Sequence, residues 1–248
     1  MRRVELSRAE TAARETTVVL AVFGFGAQTP TAAWQQRRFC GYTRDALALV
    51  PDARAVVVWN EANSWTYWRG TPAQYESLLA RCYDLLHRRG LTVLDSTASA
   101  HNPIAFLGAL AAAYRASGRT RPLVDAFGHN PYPLTATEPP TVVHRGDVLG
   151  EADYPRLVAA LKAFTPRPAI WYLEDGFQTD AVSTAQQARD VTAAIRMAAC
   201  QPDVRAYFNF ELVDERLLSG WQSGLIARGG RLKPAAAAFA RAPRRCHT

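Results

Sequence analysis

The strongest constraint on the fold is a regular alternation of short apolar segments with longer segments of helical period. Six apolar segments rich in β-branched residues begin 32 to 46 residues apart, and we predict strands at 17–23, 53–59, 91–95, 123–127, 169–173 and 204–210. The apolar spacing of the remaining segments predicts helices at roughly 34–49, 72–89, 104–116, 154–163, 184–199 and 234–241. This alternation predicts an α/β fold built on a parallel sheet that helices cover.

The second predicted helix has clear signals at both ends. Thr71 can cap its first turn, Pro72 suits the first helical position, and Gly90 follows its last turn. Its apolar residues fall on one stripe, which comprises Tyr75, Leu78, Leu79, Cys82, Leu85 and Leu86. A stripe of this kind predicts a helix that packs one face against the sheet.

Composition narrows the classes of partner. The chain has 248 residues, enough for one large or two small domains, with a net charge of +7. Its basic residues are scattered or paired rather than gathered in a patch, so we predict no nucleic-acid partner. No apolar run approaches the roughly 20 residues that span a bilayer, so we predict no membrane partner. No signal peptide is visible in this chain either. The oligomeric state is left open.

Known cofactor and metal motifs are missing from the sequence. The GFGAQ segment after the first strand lacks the third glycine of a dinucleotide-binding fingerprint, and no helix follows it at once. The four cysteines show no spacing typical of a metal site. We therefore predict neither a cofactor nor a bound metal.

Polar and aromatic residues gather after the carboxyl ends of most predicted strands. They comprise Asn60, Glu61, Ser96, His129 to Tyr132, Glu174, Asn209 and Glu211. A (β/α) barrel builds its site from this edge of every strand.

Three motifs at these strand ends carry a resemblance to a known group of enzymes. WNEAN at 59–63, HNPYP at 129–133 and WYLEDGFQT at 171–179 together resemble the clan of retaining glycoside hydrolases with (β/α)₈ barrels, in particular its cellulase-like and family 39-like members. FNFELVDE and the later GWQSGLIARGGRLKPAAAAF resemble the clan's last strand with its closing loop and helix. The resemblance implies a TIM (β/α)₈-type barrel and hydrolysis of O-glycosyl bonds.

The resemblance also implies roles for individual residues. Glu61 corresponds to the acid/base and Glu174 to the nucleophile, and Asn60 to a residue that binds the sugar 2-hydroxyl. A retaining mechanism independently needs two carboxyl groups about 5 to 5.5 Å apart. The two glutamates are 113 residues apart in the chain, so only a fold that gathers the strand ends at one rim could pair them.

Further substrate contacts are predicted around this pair. The candidates are Trp65, Trp68, His129, Tyr132, Asn209 and Glu211. Each has a structural alternative: the tryptophans could pack on the rim, and His129 could brace the proline-shaped turn. We assign Trp59 to the strand and the core, expect Asp175 to point away from Glu174, and place His87 and His144 on the surface without a role.

The match covers six β/α units where a closed barrel has eight. We therefore expect a barrel domain at 17–242 that holds strands 3–8, preceded by a helical remnant at 1–16 and followed by a tail at 243–248. Three explanations stay open: a fragment or a gene start placed too late, a shortened protein that no longer catalyses, and a barrel that another chain completes. Ala62 also replaces the proline that the family usually has there.

In such a barrel the cysteines fall on elements that can meet. Cys40 and Cys82 lie on neighbouring helices, Cys200 ends the penultimate helix and Cys246 follows the last one. Disulfides 40–82 and 200–246 would suit a secreted enzyme, although four free thiols are the alternative. The sequence thus predicts a retaining glycosidase of β-linked oligosaccharides or polysaccharides, or else a catalytically impaired carbohydrate-binding or interaction protein.

Overall fold

The computed structural model describes residues 3–243, 245 and 246, with side chains described from residue 7 onward. Strands and helices alternate along the chain. The elements, in order, are α1 Arg3–Ala13, β1 Val19–Val22, α2 Ala33–Ala48, β2 Ala55–Val58, α3 Pro72–Leu86, β3 Thr92–Leu94, β4 Thr97–Ala98, α4 Pro103–Ala116, β5 Phe127–Asn130, α5 Tyr154–Leu161, β6 Ile170–Asp175, α6 Thr184–Cys200, β7 Val204–Asn209 and α7 Pro234–Arg241. Short 3₁₀ turns occur at Gly26–Gln28 and Glu151–Asp153.

The predicted α/β class is confirmed. Each predicted helix is present with ends that differ by at most three residues, and the segment predicted as a helical remnant at 1–16 contains α1. Within that remnant and the predicted tail at 243–248, residues 1, 2, 244, 247 and 248 lie outside the described part of the chain.

The strand predicted at 123–127 is misplaced. Its apolar residues are buried, but the strand β5 begins only at Phe127. Upstream, the Asp125 carboxylate accepts a hydrogen bond from the Val93 N–H at 2.8 Å, where regular pairing would use a main-chain carbonyl. In this described segment, main-chain pairing with β3 is limited to an isolated bridge between Leu94 and Ala126, and the Asp125 N–H donates to the Val93 carbonyl at 2.8 Å.

The described residues divide into two compact units. The first comprises the described residues up to Thr97 together with Ala105–Gly128 and Leu161–Pro168, and the second comprises Ala98–Ile104, His129–Ala160 and the described residues from Ala169 onward. The first unit contains a parallel sheet in the order β1-β2-β3, with Val19 paired to Ala55 and Ala55 to Thr92. All four residues of β2 are buried, as the run of β-branched residues predicts for a central parallel strand.

Two helices of the first unit are joined covalently. Thr71 caps α3 by accepting the Gln74 N–H, and the predicted apolar face is buried except for Leu85, which is 43% exposed. A disulfide connects Cys40 of α2 to Cys82 of α3, as predicted. The helix ends at Leu86, before Gly90, because the chain turns back in a short antiparallel bridge between Arg88 and Leu91.

The second unit is built on the parallel pair β6 and β7, the last two strands of a sheet in the order β4-β5-β6-β7. An apolar cluster packs α6 and α7 together and includes Phe177, Val191, Ala194, Ile195, Leu225 and Ala235. The second predicted disulfide, Cys200–Cys246, ties the end of α6 to the segment after α7. Among the described residues, no helix has both the length and the apolar character that a membrane crossing needs.

Candidate active site

The end of β2 has an unusual backbone. Trp59 has φ of 70° and Glu61 has φ of 38°, in the left-handed region that residues other than glycine rarely adopt. Trp59 is buried, as predicted, and its indole N–H donates to the Tyr67 carbonyl at 3.0 Å. Strained residues of this kind persist only where their surroundings hold them, and they concentrate at functional sites. The strain marks this turn as a candidate site.

Contacts from Ser96, in the segment between β3 and β4, hold Asn60 and Glu61 in place. The Ser96 hydroxyl donates to Asn60 Oδ1 at 3.2 Å, and Ser96 Oγ accepts the Glu61 main-chain N–H at 3.3 Å. The Ser96 carbonyl accepts the Ala62 N–H at 3.1 Å, and the Glu61 carbonyl accepts the Ser64 N–H at 2.8 Å. Asn60 is buried and Glu61 is half-buried, so the glutamate lies at the edge of an ordered polar cluster.

The tryptophans that follow Glu61 have different environments. Trp65 is 70% exposed, with the Arg69 guanidinium 5.5 Å from its ring. Trp68 is only 3% exposed and packs between the rings of Trp59 and Tyr75, at centroid distances of 5.6 and 5.2 Å. Stacking on a sugar needs an accessible ring face, so the predicted sugar contact of Trp68 is corrected to a role in the core, whereas Trp65 retains an open face.

In the second unit, Glu174 near the end of β6 lies beside a tyrosine. The Tyr132 hydroxyl donates to Glu174 Oε2 at 3.1 Å, and Glu174 is half-buried. The Tyr132 ring contacts Trp221 and Phe210, at centroid distances of 5.1 and 6.1 Å, and those two rings are 5.2 Å apart. Tyr132 is thus fixed by aromatic packing while its hydroxyl orients the carboxylate.

His129 lies in the interior rather than on a sugar-binding surface. It is 1% exposed, and its Nε2 is 2.8 Å from the Leu149 carbonyl, which requires the proton on that nitrogen. The predicted substrate contact is therefore corrected to the structural alternative, a brace between β5 and the loop before α5.

The two candidates after β7 are tied to the main chain of their own loop. The Asn209 amide donates to the Glu211 carbonyl at 2.8 Å and to the Ser223 carbonyl at 3.3 Å. These bonds occupy the Asn209 amino group, and the predicted substrate contact of Asn209 stays a prediction. Glu211 is half-buried, and burial followed by the charges of Glu215 and Asp214 raises its pKa. The peptide bond between Phe210 and Glu211 is cis.

The carboxyl next to Glu174 faces the interior. Asp175 is fully buried and accepts the Tyr207 hydroxyl at 2.9 Å. Burial raises the pKa of Asp175 to about 7, against the opposing hydrogen bond from Tyr207. Glu151 is also buried, and burial and the Asp175 charge raise its pKa. Asp175 and Glu174 therefore have separate environments although they are adjacent in the chain.

His144 is also more enclosed than its predicted surface position. Its Nδ1 is 2.7 Å from an Asp153 oxygen and its Nε2 is 2.7 Å from a Glu138 oxygen, and its side chain is 8% exposed. In the described ranges, no three histidine, cysteine or acidic side chains are grouped as a metal site would need.

The structure thus assembles two polar groups, one in each unit. The first contains Asn60, Glu61 and Ser96, and the second contains Tyr132 and Glu174 with the rings of Phe210 and Trp221. The sequence pattern includes Ser96 among the polar residues that follow strand ends, but it predicts no role for this residue. Trp221 was visible only as part of the closing-loop motif, and nothing local in the sequence places its ring against Tyr132. The pairing of Glu61 with Glu174 stays a prediction.

Neither protein-family models nor curated proteins match this sequence, but solved structures match the fold. A family 39 glycoside hydrolase from Bacteroides cellulosilyticus WH2 matches 98% of this chain and 54% of its own, with a TM-score of 0.74 and 15% identity. A GH5_18 protein from Bifidobacterium longum subsp. longum, solved with Manβ1-4GlcNAc, matches 96% of this chain and 64% of its own, with a TM-score of 0.66 and 13% identity.

A third match is a GH128 endo-β-1,3-glucanase from Amycolatopsis mediterranei in complex with laminaripentaose. It matches 92% of this chain and 83% of its own, with a TM-score of 0.59 and 18% identity. At these identities the likeness establishes the fold. The chain has the α/β architecture of the (β/α)-barrel glycoside hydrolases and spans about half of the length of the family 39 protein.

Proposed function

We propose that this chain carries the catalytic glutamates of a retaining O-glycosyl hydrolase that acts on β-linked oligosaccharides or polysaccharides. The observation that carries the proposal is the hydrogen bond from Tyr132 to Glu174 Oε2 at the end of β6. It holds one carboxylate oxygen and thereby orients the other, as attack on a single carbon requires. The fold shared with glycoside hydrolases supports the assignment, as does the ordered turn that carries Glu61.

The proposed reaction has two steps. In the first, the Glu174 carboxylate attacks the anomeric carbon while the Glu61 carboxylic acid gives its proton to the departing glycosidic oxygen. In the second, the Glu61 carboxylate takes a proton from water, whose oxygen attacks the anomeric carbon and releases Glu174. Both steps need the two carboxyl groups about 5 to 5.5 Å apart, one on each side of the scissile bond.

The substrate class is inferred from two sources. The GH5_18 and GH128 proteins of similar fold were solved with a Manβ1-4GlcNAc disaccharide and with laminaripentaose. In this chain, the exposed Trp65 ring offers an apolar face on which a pyranose ring can stack. The two disulfides support a site of action outside the reducing cytosol, and we propose that the protein is secreted.

A second candidate function is sugar binding without turnover. The exposed ring of Trp65 favours this binding function, because a sugar can stack on that ring without any contribution from either glutamate. Hydrolysis of a panel of aryl β-glycosides separates the two candidates. Saturable binding of oligosaccharides with no turnover of any glycoside would refute the hydrolase and support the binding protein.

Azide rescue assigns the two glutamates individually. Glu174→Ala should abolish turnover of an activated aryl β-glycoside, and added azide should restore it by attack from the vacated face, which yields the α-glycosyl azide. In Glu61→Ala the glycosyl–enzyme still forms, so azide should yield the β-glycosyl azide instead. Asp180→Ala, at an exposed position, controls for loss of any acidic side chain. An unchanged rate in Glu174→Ala would remove that residue from the mechanism.

A further inference from the structure

Ser96 occupies a position from which it contacts three consecutive residues of the candidate site. It lies between β3 and β4 and is fully buried. Its hydroxyl reaches Asn60 Oδ1 at 3.2 Å and the Glu61 N–H at 3.3 Å, while its carbonyl accepts the Ala62 N–H at 3.1 Å.

The chemistry of a hydroxyl group determines what these contacts do. Serine has one proton to donate and lone pairs that accept. The lone pair directed at Glu61 accepts its N–H, and the proton is donated to Asn60 Oδ1. An asparagine whose oxygen is held in this way presents its amino group, a donor, in the opposite direction. Ser96 therefore determines which end of the Asn60 amide is presented to a ligand.

We propose that Ser96 is a positioning residue that sets Asn60 as a hydrogen-bond donor to a sugar hydroxyl and holds the Glu61 backbone in its left-handed conformation. The inference rests on the proposed function in that the ligand is a sugar. The left-handed φ of 38° at Glu61 supports it, because a conformation that glutamate avoids in isolation needs an external contact to persist. Asn60 and Ser96 are both buried, so water does not compete easily for these bonds.

Kinetics with matched substrates test the role of the hydroxyl. Ser96→Ala should lower kcat/KM roughly tenfold to a hundredfold on an aryl β-glycoside that carries a 2-hydroxyl, which is less than the loss when an oriented donor is itself removed, because Asn60 stays in place. On the 2-deoxy analogue the loss should be less than about threefold, because the donor that Ser96 sets has no partner there. In an Asn60→Ala background, Ser96→Ala should cost no more than it costs on the 2-deoxy analogue, because only its contact with the Glu61 backbone is then left to lose. Equal losses on both substrates would show that Ser96 does not act through the Asn60 amide and would overturn the proposal.

A second readout does not depend on turnover. The side-chain NH₂ signals of Asn60 can be assigned in a ¹H–¹⁵N spectrum by their disappearance in Asn60→Asp. In Ser96→Ala these signals should shift and exchange faster with solvent, because the amide loses its fixed orientation. Ser99→Ala removes another buried hydroxyl from the same segment and serves as the control for general packing effects.

The two measurements separate the failure of this inference from the failure of the proposed function. A wild-type protein that hydrolyses no glycoside refutes the proposed function, but the Asn60 signals still report on Ser96. Asn60 signals that are the same in Ser96→Ala as in the wild type would overturn the positioning role, whatever the activity. Thermal melting of each variant shows whether the fold is retained. Ser96→Thr keeps the hydroxyl, so it should restore the wild-type Asn60 signals if Ser96→Ala loses them.

Discussion

The buried carboxyl of Asp95, next to Ser96, should make stability depend on pH. Asp95 is 1% exposed, and its Oδ1 accepts the Gly128 N–H at 2.9 Å. Burial raises the pKa of Asp95 from 3.8 to about 7, against hydrogen bonds from the main-chain N–H groups of Gly128 and of Asp95 itself. The group is therefore protonated in the folded protein at pH values where it is ionised in the unfolded chain.

The direction and size of the effect follow from the two pKa values. Because the folded value is the higher one, the contribution of Asp95 to stability is full below pH 3.8 and is lost as the pH rises to about 7. The difference is about 3 pH units, and each unit corresponds to about 1.4 kcal/mol, so the total loss is about 4 kcal/mol. Asparagine has nearly the same shape, can accept the Gly128 N–H and does not titrate.

The assay compares urea unfolding of the wild type and of Asp95→Asn at intervals from pH 4 to pH 8. The stability of the variant relative to the wild type should rise by about 4 kcal/mol across this interval, with most of the rise between pH 4 and pH 7. Asp52→Asn, at an exposed position, controls for the loss of one carboxyl. A difference between Asp95→Asn and the wild type that stays constant with pH would refute the argument from burial.

Three further perturbations test the second unit. Replacing Cys200 and Cys246 together by alanine removes a cross-link between residues 46 apart and should lower the free energy of unfolding by about 4 kcal/mol. An unchanged midpoint of urea unfolding would contradict this prediction. Lys233→Met leaves the buried Asp214 without the ammonium 2.6 Å away and should cost about 3–5 kcal/mol in calorimetric melts. Adding Asp214→Asn should recover part of that loss, and no recovery would argue against the pair. Burial lowers the pKa of His144, but hydrogen bonds to the carboxylates of Asp153 and Glu138 outweigh burial and raise the pKa above 6.5. The contribution of His144 to the stability of the fold is therefore full below pH 6.5 and is lost as the pH rises through the pKa of the folded protein. His144→Gln should therefore cost more stability at pH 5 than at pH 9, and an equal cost at both would refute the charged pair.

Much of the fold was predictable because local and long-range preferences agree. The run of valines in β2 favours a strand in isolation and is also what a strand buried on both faces needs. The cap and first-turn proline of α3 fix its start within one residue. At 123–127 the two preferences conflict, because the Asp125 side chain takes the hydrogen bond of a neighbouring strand. A pattern of apolar residues carries no signal for such a replacement.

The residues of the candidate site were predictable by type but not by environment. Trp65 and Trp68 are three positions apart in one loop, yet one is 70% exposed and the other 3%. What separates them is the space between the rings of Trp59 and Tyr75, which only Trp68 fills. Tyr75 comes from α3, so this cavity exists only after the helix has packed. The sequence therefore could not decide which ring faces solvent.

The backbone at the end of β2 depends on distant residues in the same way. Tryptophan and glutamate favour extended or right-handed conformations, and WNEAN contains no glycine to relieve a positive φ at Trp59 or Glu61. The main-chain N–H of Trp59 donates to the Val22 carbonyl at 3.0 Å, and the main-chain N–H of Glu61 donates to Ser96 Oγ. Those two partners lie on either side of β2, one at the end of β1 and one after β3. The turn that presents Glu61 is thus fixed by the two strands that flank β2, and substitutions that loosen either strand should disturb the glutamate before they unfold the sheet.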